Sequence, residues 1–186
     1  MPETVGDMTP LRQPDVIQAA VGYCKHQANK GVDSLASLME RTKADWERCL
    51  EGMTEEQASF APGEEWPARA VVTHFLEVTD GVNSEIANLT AGDVPASTEE
   101  VDLARKGKTP DCETTDKMRQ GVANVFDEIT RLTRALEGNA HLERQFPHPA
   151  FGQLNILEWI AFQRIHGMDH IGQVDKNKAD AGYPKA

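Results

Sequence analysis

Asn155-Ile-Leu-Glu158-Trp-Ile-Ala-Phe162-Gln-Arg-Ile-His166-Gly-Met-Asp-His170-Ile-Gly-Gln173-Val174 reads as one helix, and it sets the terms for the rest of the chain. Asn155 suits the N-cap, and Glu158 three residues on completes a capping box. Ile156, Trp159, Ile160, Gly167, Ile171 and Val174 recur at helical spacing and mark the buried face. His166 and His170 fall inside that apolar stripe. Residues four apart stand one turn above each other, with Cβ atoms roughly 5–6 Å apart, so two imidazoles there can share one metal ion. Burying them beside tryptophan and isoleucine is costly unless their nitrogens are satisfied. Gln173 follows on the same side.

Working outward, the 186 residues suit one domain with one core, and the apolar share of 39% is that of an ordinary soluble chain. No run approaches the ~18–20 apolar residues of a membrane span, and the N-terminus lacks the basic and apolar regions of a signal peptide. Cys24, Cys49 and Cys112 are an odd count at wide spacing, which points to a reducing cytoplasm rather than a disulfide framework. The formal net charge of −11 repels phosphate backbones and anionic lipids, so neither nucleic acid nor membrane is an expected partner.

Four amphipathic helices can be traced. Residues 1–13 read as a loose leader. Pro14 and Asp15 start a helix with Ile17, Ala20, Val21, Cys24 and Ala28 on one face. Asn29 to Gly31 interrupts it before Val32, Leu35, Met39, Trp46, Cys49 and Leu50; one kinked helix or two are both open. Thr54 and Gln57 form a cap-like pair for a single turn. Pro67 suits the first position of a helix running to about Thr90, with Val71, Phe75, Val78, Val82, Ile86 and Leu89 inward. Gly92 to Lys108 reads as a long loop. Thr109-Pro110-Asp111 carries the signals of a helix start, followed by Met118, Val122, Phe126, Ile129 and Leu136 at helical spacing. Ala140 to Leu154 reads as irregular, and the tail from 178 as polar. The fold class expected is all-α: a four-helix bundle with an extra N-terminal helix. The 92–108 loop is long enough to travel the length of a bundle, which lets the second and third bundle helices run in one direction.

His74 sits at the edge of its helix's stripe and supplies a third imidazole. His74, His166 and His170 from two helices make an acceptable set for zinc, nickel or iron(II), with coordination positions left open. The zinc-protease pattern is excluded because Gly167 stands where its glutamate belongs. The di-iron pattern is excluded because no Glu-x-x-His occurs. His26, His141 and His148 read as surface or loop residues, with His148 a weaker candidate for the mouth of a pocket. Arg164 and Asp169 are expected on other faces, solvated or paired.

Three stretches together resemble the DinB-like superfamily of four-helix-bundle metalloenzymes, over roughly residues 32–177. Trp66-Pro-Ala-Arg-Ala-Val-Val-Thr-His74-Phe-Leu76 is similar to the family's tryptophan, spacer and helix-two histidine. His166-x3-His170-x2-Gln173 is similar to its helix-four pattern, and Phe151-Gly-Gln-Leu-Asn155-Ile-Leu-Glu158 to the lead-in. The resemblance implies an up-down-down-up bundle and one metal on His74, His166 and His170. It also implies dimers and thiol-dependent transferases or isomerases using mycothiol, bacillithiol or glutathione-like cofactors. Pro67 departs from the family's usual serine or threonine, and 14–30 adds a helix. The expected activity is transfer of a low-molecular-weight thiol to a small electrophilic substrate lodged near Trp159 and Phe162, with Gln173 supporting a histidine or touching substrate. The alternative is a stress-related, non-enzymatic metal- or ligand-binding dimeric bundle.

Overall fold

The computed structural model describes residues 13–91, 110–138 and 141–185. The expected leader, apart from Gln13, and the 92–108 loop lie outside the described residues.

The break after the first stripe separates two helices, α1 (Pro14–Ala28) and α2 (Val32–Leu50). Gly31 decides this: its φ of 86° is left-handed backbone, and its carbonyl accepts the first amide of α2, from Leu35. The single turn α3 (Glu55–Ser59) carries the full capping box of Thr54 and Gln57. Pro67 opens α4 (Ala68–Ala91), its carbonyl accepting from Ala70 and Val71.

The next helix, α5 (Thr115–Ala135), begins later than the Thr109-Pro110-Asp111 signal suggests. Thr114 is the N-cap, its hydroxyl accepting from the Lys117 amide, and the Glu55 carboxylate takes the Thr115 amide. Pro110 to Glu113 instead form a lead-in whose acids pair with Lys117. The Thr114 cap together with the one tertiary acceptor, Glu55 at Thr115, outweighs the proline-based start.

The 140–154 segment departs further from expectation. It holds a hairpin, β1 (Gln145–His148) against β2 (Gly152–Asn155), antiparallel with Phe146 opposite Leu154. Four-residue strands, one interrupted by Pro147, are too short to show alternation. Tertiary contact holds the hairpin: Phe146 stacks on Trp159 at 4.3 Å, and Trp159 Nε1 donates to the Phe146 carbonyl at 3.0 Å. The last helix, α6 (Ile156–Lys178), starts on the predicted Asn155–Glu158 capping box.

Side-chain pairs fix the helix directions. Leu50 meets Arg119 and Lys43 meets Asp127, so α2 and α5 are antiparallel. Arg69 lies by Met118 and Asn83 reaches the Val125 carbonyl, so α4 and α5 run parallel. Thr79 pairs with Gln163 and Trp66 with Asn177, so α4 and α6 are antiparallel. Asp45 pairs with Arg164 and Cys49 with Asp175, so α2 and α6 are parallel. The order is up-down-down-up. α1 packs on the outside of α6 through Ala20, Cys24 and Ala28. All six residues of the expected α6 stripe are buried. The tail folds back on α3, with Gln57 donating to the Pro184 carbonyl and Phe60 edge-on to Tyr183. No helix among the described residues is long and apolar enough to cross a membrane. The three cysteines are free and buried.

Candidate metal centre

The antiparallel crossing of α4 and α6 brings His74, in the first third of one, to His166 and His170, at and just past the middle of the other. One nitrogen from each ring lies within 4.8 Å of the other two. The His166 and His170 Nε2 atoms are 2.9 Å apart.

Packing orients each ring. Phe75 lies 5.2 Å from His166 in a tilted contact, and Phe162 stacks on it at 5.5 Å. Trp66 meets His74 edge-on at 5.6 Å. His170 Nδ1 lies 3.1 Å from Gln173 Oε1, and Gln173 Nε2 donates to Asp169 Oδ2 at 3.3 Å. An amide oxygen only accepts, so His170 donates from Nδ1 and its Nε2, which faces His166 Nε2 at 2.9 Å, is the unprotonated nitrogen. The chain His170–Gln173–Asp169 ends on a carboxylate, which raises the basicity of the ring. Asp169 is solvent-exposed at its rim, but partial desolvation pushes its carboxyl pKa up.

Burial makes these rings poor proton carriers. His74 is pushed down to about 4, mainly by burial and then by His170. His166 lies well below the ordinary imidazole value, through burial and then the neighbouring His170, His74 and His148. Burial also lowers His170, against the raising effect of its Gln173 hydrogen bond. All three are therefore neutral near pH 7, the form that ligates metals.

The donor set fits a divalent cation. Nitrogens about 2.0–2.1 Å from one ion lie roughly 3 Å apart, and the His166–His170 pair already has that spacing. His166 Nδ1 is buried without a partner, so the pair alone does not satisfy this ring.

The other expected residues are placed differently. Phe162 lies against His166, whereas Trp159 has its ring stacked on Phe146 and its indole nitrogen bonded there, one layer away. Arg164 pairs with Asp45, and His26 is exposed. Asp169, expected elsewhere, joins the centre through Gln173; the four-residue spacing between the two carried that signal. His148 lies in the aromatic wall by Trp159 and Phe162, on a hairpin that sequence periodicity did not show.

The sequence profile of the DinB superfamily matches residues 38–174. The chain belongs to this superfamily. Among its relatives is an uncharacterised Bacillus subtilis protein, YuaE, 26% identical over 144 residues, covering 69% of this chain and 88% of YuaE. Among solved structures, Bacillus subtilis YfiT superposes with a TM-score of 0.63 at 18% identity, over 82% of this chain and 89% of YfiT. YfiT is described as a probable metal-dependent hydrolase with an unusual four-helix bundle topology. At that identity the likeness bears on the fold alone.

Proposed function

We propose that this protein is a metal-dependent enzyme that binds a divalent cation on His74, His166 and His170 and transfers a low-molecular-weight thiol to a small electrophile. The observation that supports it is the convergence of three neutral imidazoles from two antiparallel helices. Three protein ligands leave coordination positions for a reactant. Zinc, nickel and iron(II) all accept such ligands.

A cation held there supplies positive charge that lowers the proton affinity of a thiol brought against it. The chain's own residues do the rest. Gln173, backed by Asp169, holds His170 in the tautomer that presents Nε2. Phe75 and Phe162 fix the His166 ring and keep water from its faces. Trp66 borders His74.

A hydrolytic reading, suggested by what is said of YfiT, is the second choice. A cation on the three imidazoles would lower the proton affinity of water as it would that of a thiol, the proton leaving to solvent in either case. Among the described residues no carboxylate shares the cluster, and Asp169 is engaged by Gln173, so the substrate arms of the test separate the two readings.

The test is to load the purified protein with zinc, nickel or iron(II) and measure bound metal. Loss of thiol is then followed with glutathione, mycothiol or bacillithiol and 1-chloro-2,4-dinitrobenzene, beside an ester-hydrolysis arm. Metal-dependent thiol loss supports the proposal. Ester cleavage alone selects the hydrolase, and bound metal without turnover selects the non-enzymatic bundle.

A further inference from the structure

His148 closes β1 opposite Gly152. Its Nδ1 accepts from the backbone N–H groups of Ala150 and Phe151, each at 3.1 Å. A nitrogen that accepts carries no proton, so the neutral ring holds its proton on Nε2. Three aromatic side chains fix the plane of that ring: Phe151 stacked at 4.3 Å, Phe162 edge-on at 4.5 Å and Trp159 at 5.2 Å. Burial pushes its pKa down to about 4, so it stays neutral near pH 7.

Neither half of this arrangement needs a histidine for stability. An asparagine accepts the same two backbone bonds in an Asx turn, and a phenylalanine fills the same aromatic wall. A histidine adds an N–H beyond the turn, and among the described residues that N–H has no acceptor. Phe162 packs against both this ring, at 4.5 Å, and His166, at 5.5 Å, so a single aromatic side chain links the hairpin to the metal centre. The hairpin therefore presents a preset donor beside the metal centre.

Given the metal-centred function proposed above, we infer that His148 Nε2–H is a substrate-binding donor. It selects molecules that carry a carbonyl or carboxylate oxygen some bonds away from the sulfur engaged at the centre. A thiol without such an oxygen gains nothing from it.

The test compares two probes on cobalt(II)-loaded protein, N-acetylcysteine and ethanethiol, by the sulfur-to-metal absorption band, in wild type and His148→Asn. Asparagine keeps the turn acceptor and removes the distal N–H. Loss of one hydrogen bond should weaken N-acetylcysteine about 5- to 20-fold and change ethanethiol by less than about 2-fold. Equal N-acetylcysteine binding in the two proteins overturns the role of His148 while leaving the metal–thiol function standing. If neither thiol perturbs the wild-type spectrum, the metal–thiol function fails and the role of His148 falls with it. A measurement independent of the variant is long-range 1H–15N NMR of the zinc-loaded wild type. It should show the Nε2–H tautomer, with a resonance that shifts on adding N-acetylcysteine and not on adding ethanethiol. An Nδ1–H tautomer, or no shift, overturns the inference.

Discussion

Gly167 separates the helical turns that carry the two α6 histidines, and a side chain there would press on α2. A Cβ there would lie 3.0 Å from Thr42 Cγ2 and 3.2 Å from Trp46 Nε1, both fully buried on α2. Gly167→Ala should therefore destabilise the fold by roughly 1–3 kcal/mol, seen as a lower urea midpoint with unchanged slope; an unchanged midpoint would mean α2 yields freely. At the same scale, His170→Ala should abolish metal binding with helical circular dichroism retained, while His26→Ala leaves metal content unchanged. Gln173→Ala should weaken metal binding about 10- to 100-fold, since the ring loses its orienting acceptor. The buried imidazoles also set a pH dependence. His74 and His148 bind protons at about 4 when folded and near 6.5 when unfolded. The unfolded chain thus takes up more protons below about pH 6.5, so the metal-free protein should lose stability between about pH 6.5 and 4, by up to about 3 kcal/mol for each ring. Thermal melts in chelator across that range check the sign; a flat profile would show that the rings protonate as readily in the fold as in water.

At the scale of elements, the hairpin is held by α6 rather than by its own ladder. Two four-residue strands are marginal alone, and the Trp159–Phe146 stack and hydrogen bond supply the tether. Trp159→Phe keeps most of the stacking surface but leaves the Phe146 carbonyl without its indole donor. The expected cost is roughly 1–3 kcal/mol, with amide exchange accelerated in 145–155 first; uniform acceleration across the bundle would contradict a local tether. Helix existence, spacing and caps were legible because each rests on neighbours within a turn: Asn155 with Glu158, Thr54 with Gln57. The hairpin was not, because its stabilising partner lies outside both strands. The start of α5 was misread for the same reason: Glu55, 60 positions earlier, accepts from Thr115.

For the whole molecule, the consequence of an up-down-down-up order is that α4 crosses α6 antiparallel, which puts a residue from the first third of one beside residues at and just past the middle of the other. That crossing makes the centre. α1 stands outside the bundle, burying Ala20, Cys24 and Ala28 and packing Ile17, Val21 and Tyr23 more loosely against the core. Removing residues 1–31 should lower stability by about 2–4 kcal/mol, from the apolar area uncovered, and leave cobalt(II) binding intact; loss of metal with the bundle still folded would place α1 in the site's support. The sequence by itself determined the helices, their buried faces and which imidazoles were eligible to meet, because hydrophobic period and caps are local properties. Only the tertiary structure decided that His74 reaches the α6 pair, that Asp169 backs His170 through Gln173, and that His148 stands in the wall beside them. Those meetings depend on helix direction and on a hairpin pinned from outside, and through-space contacts of that kind leave no period in the chain.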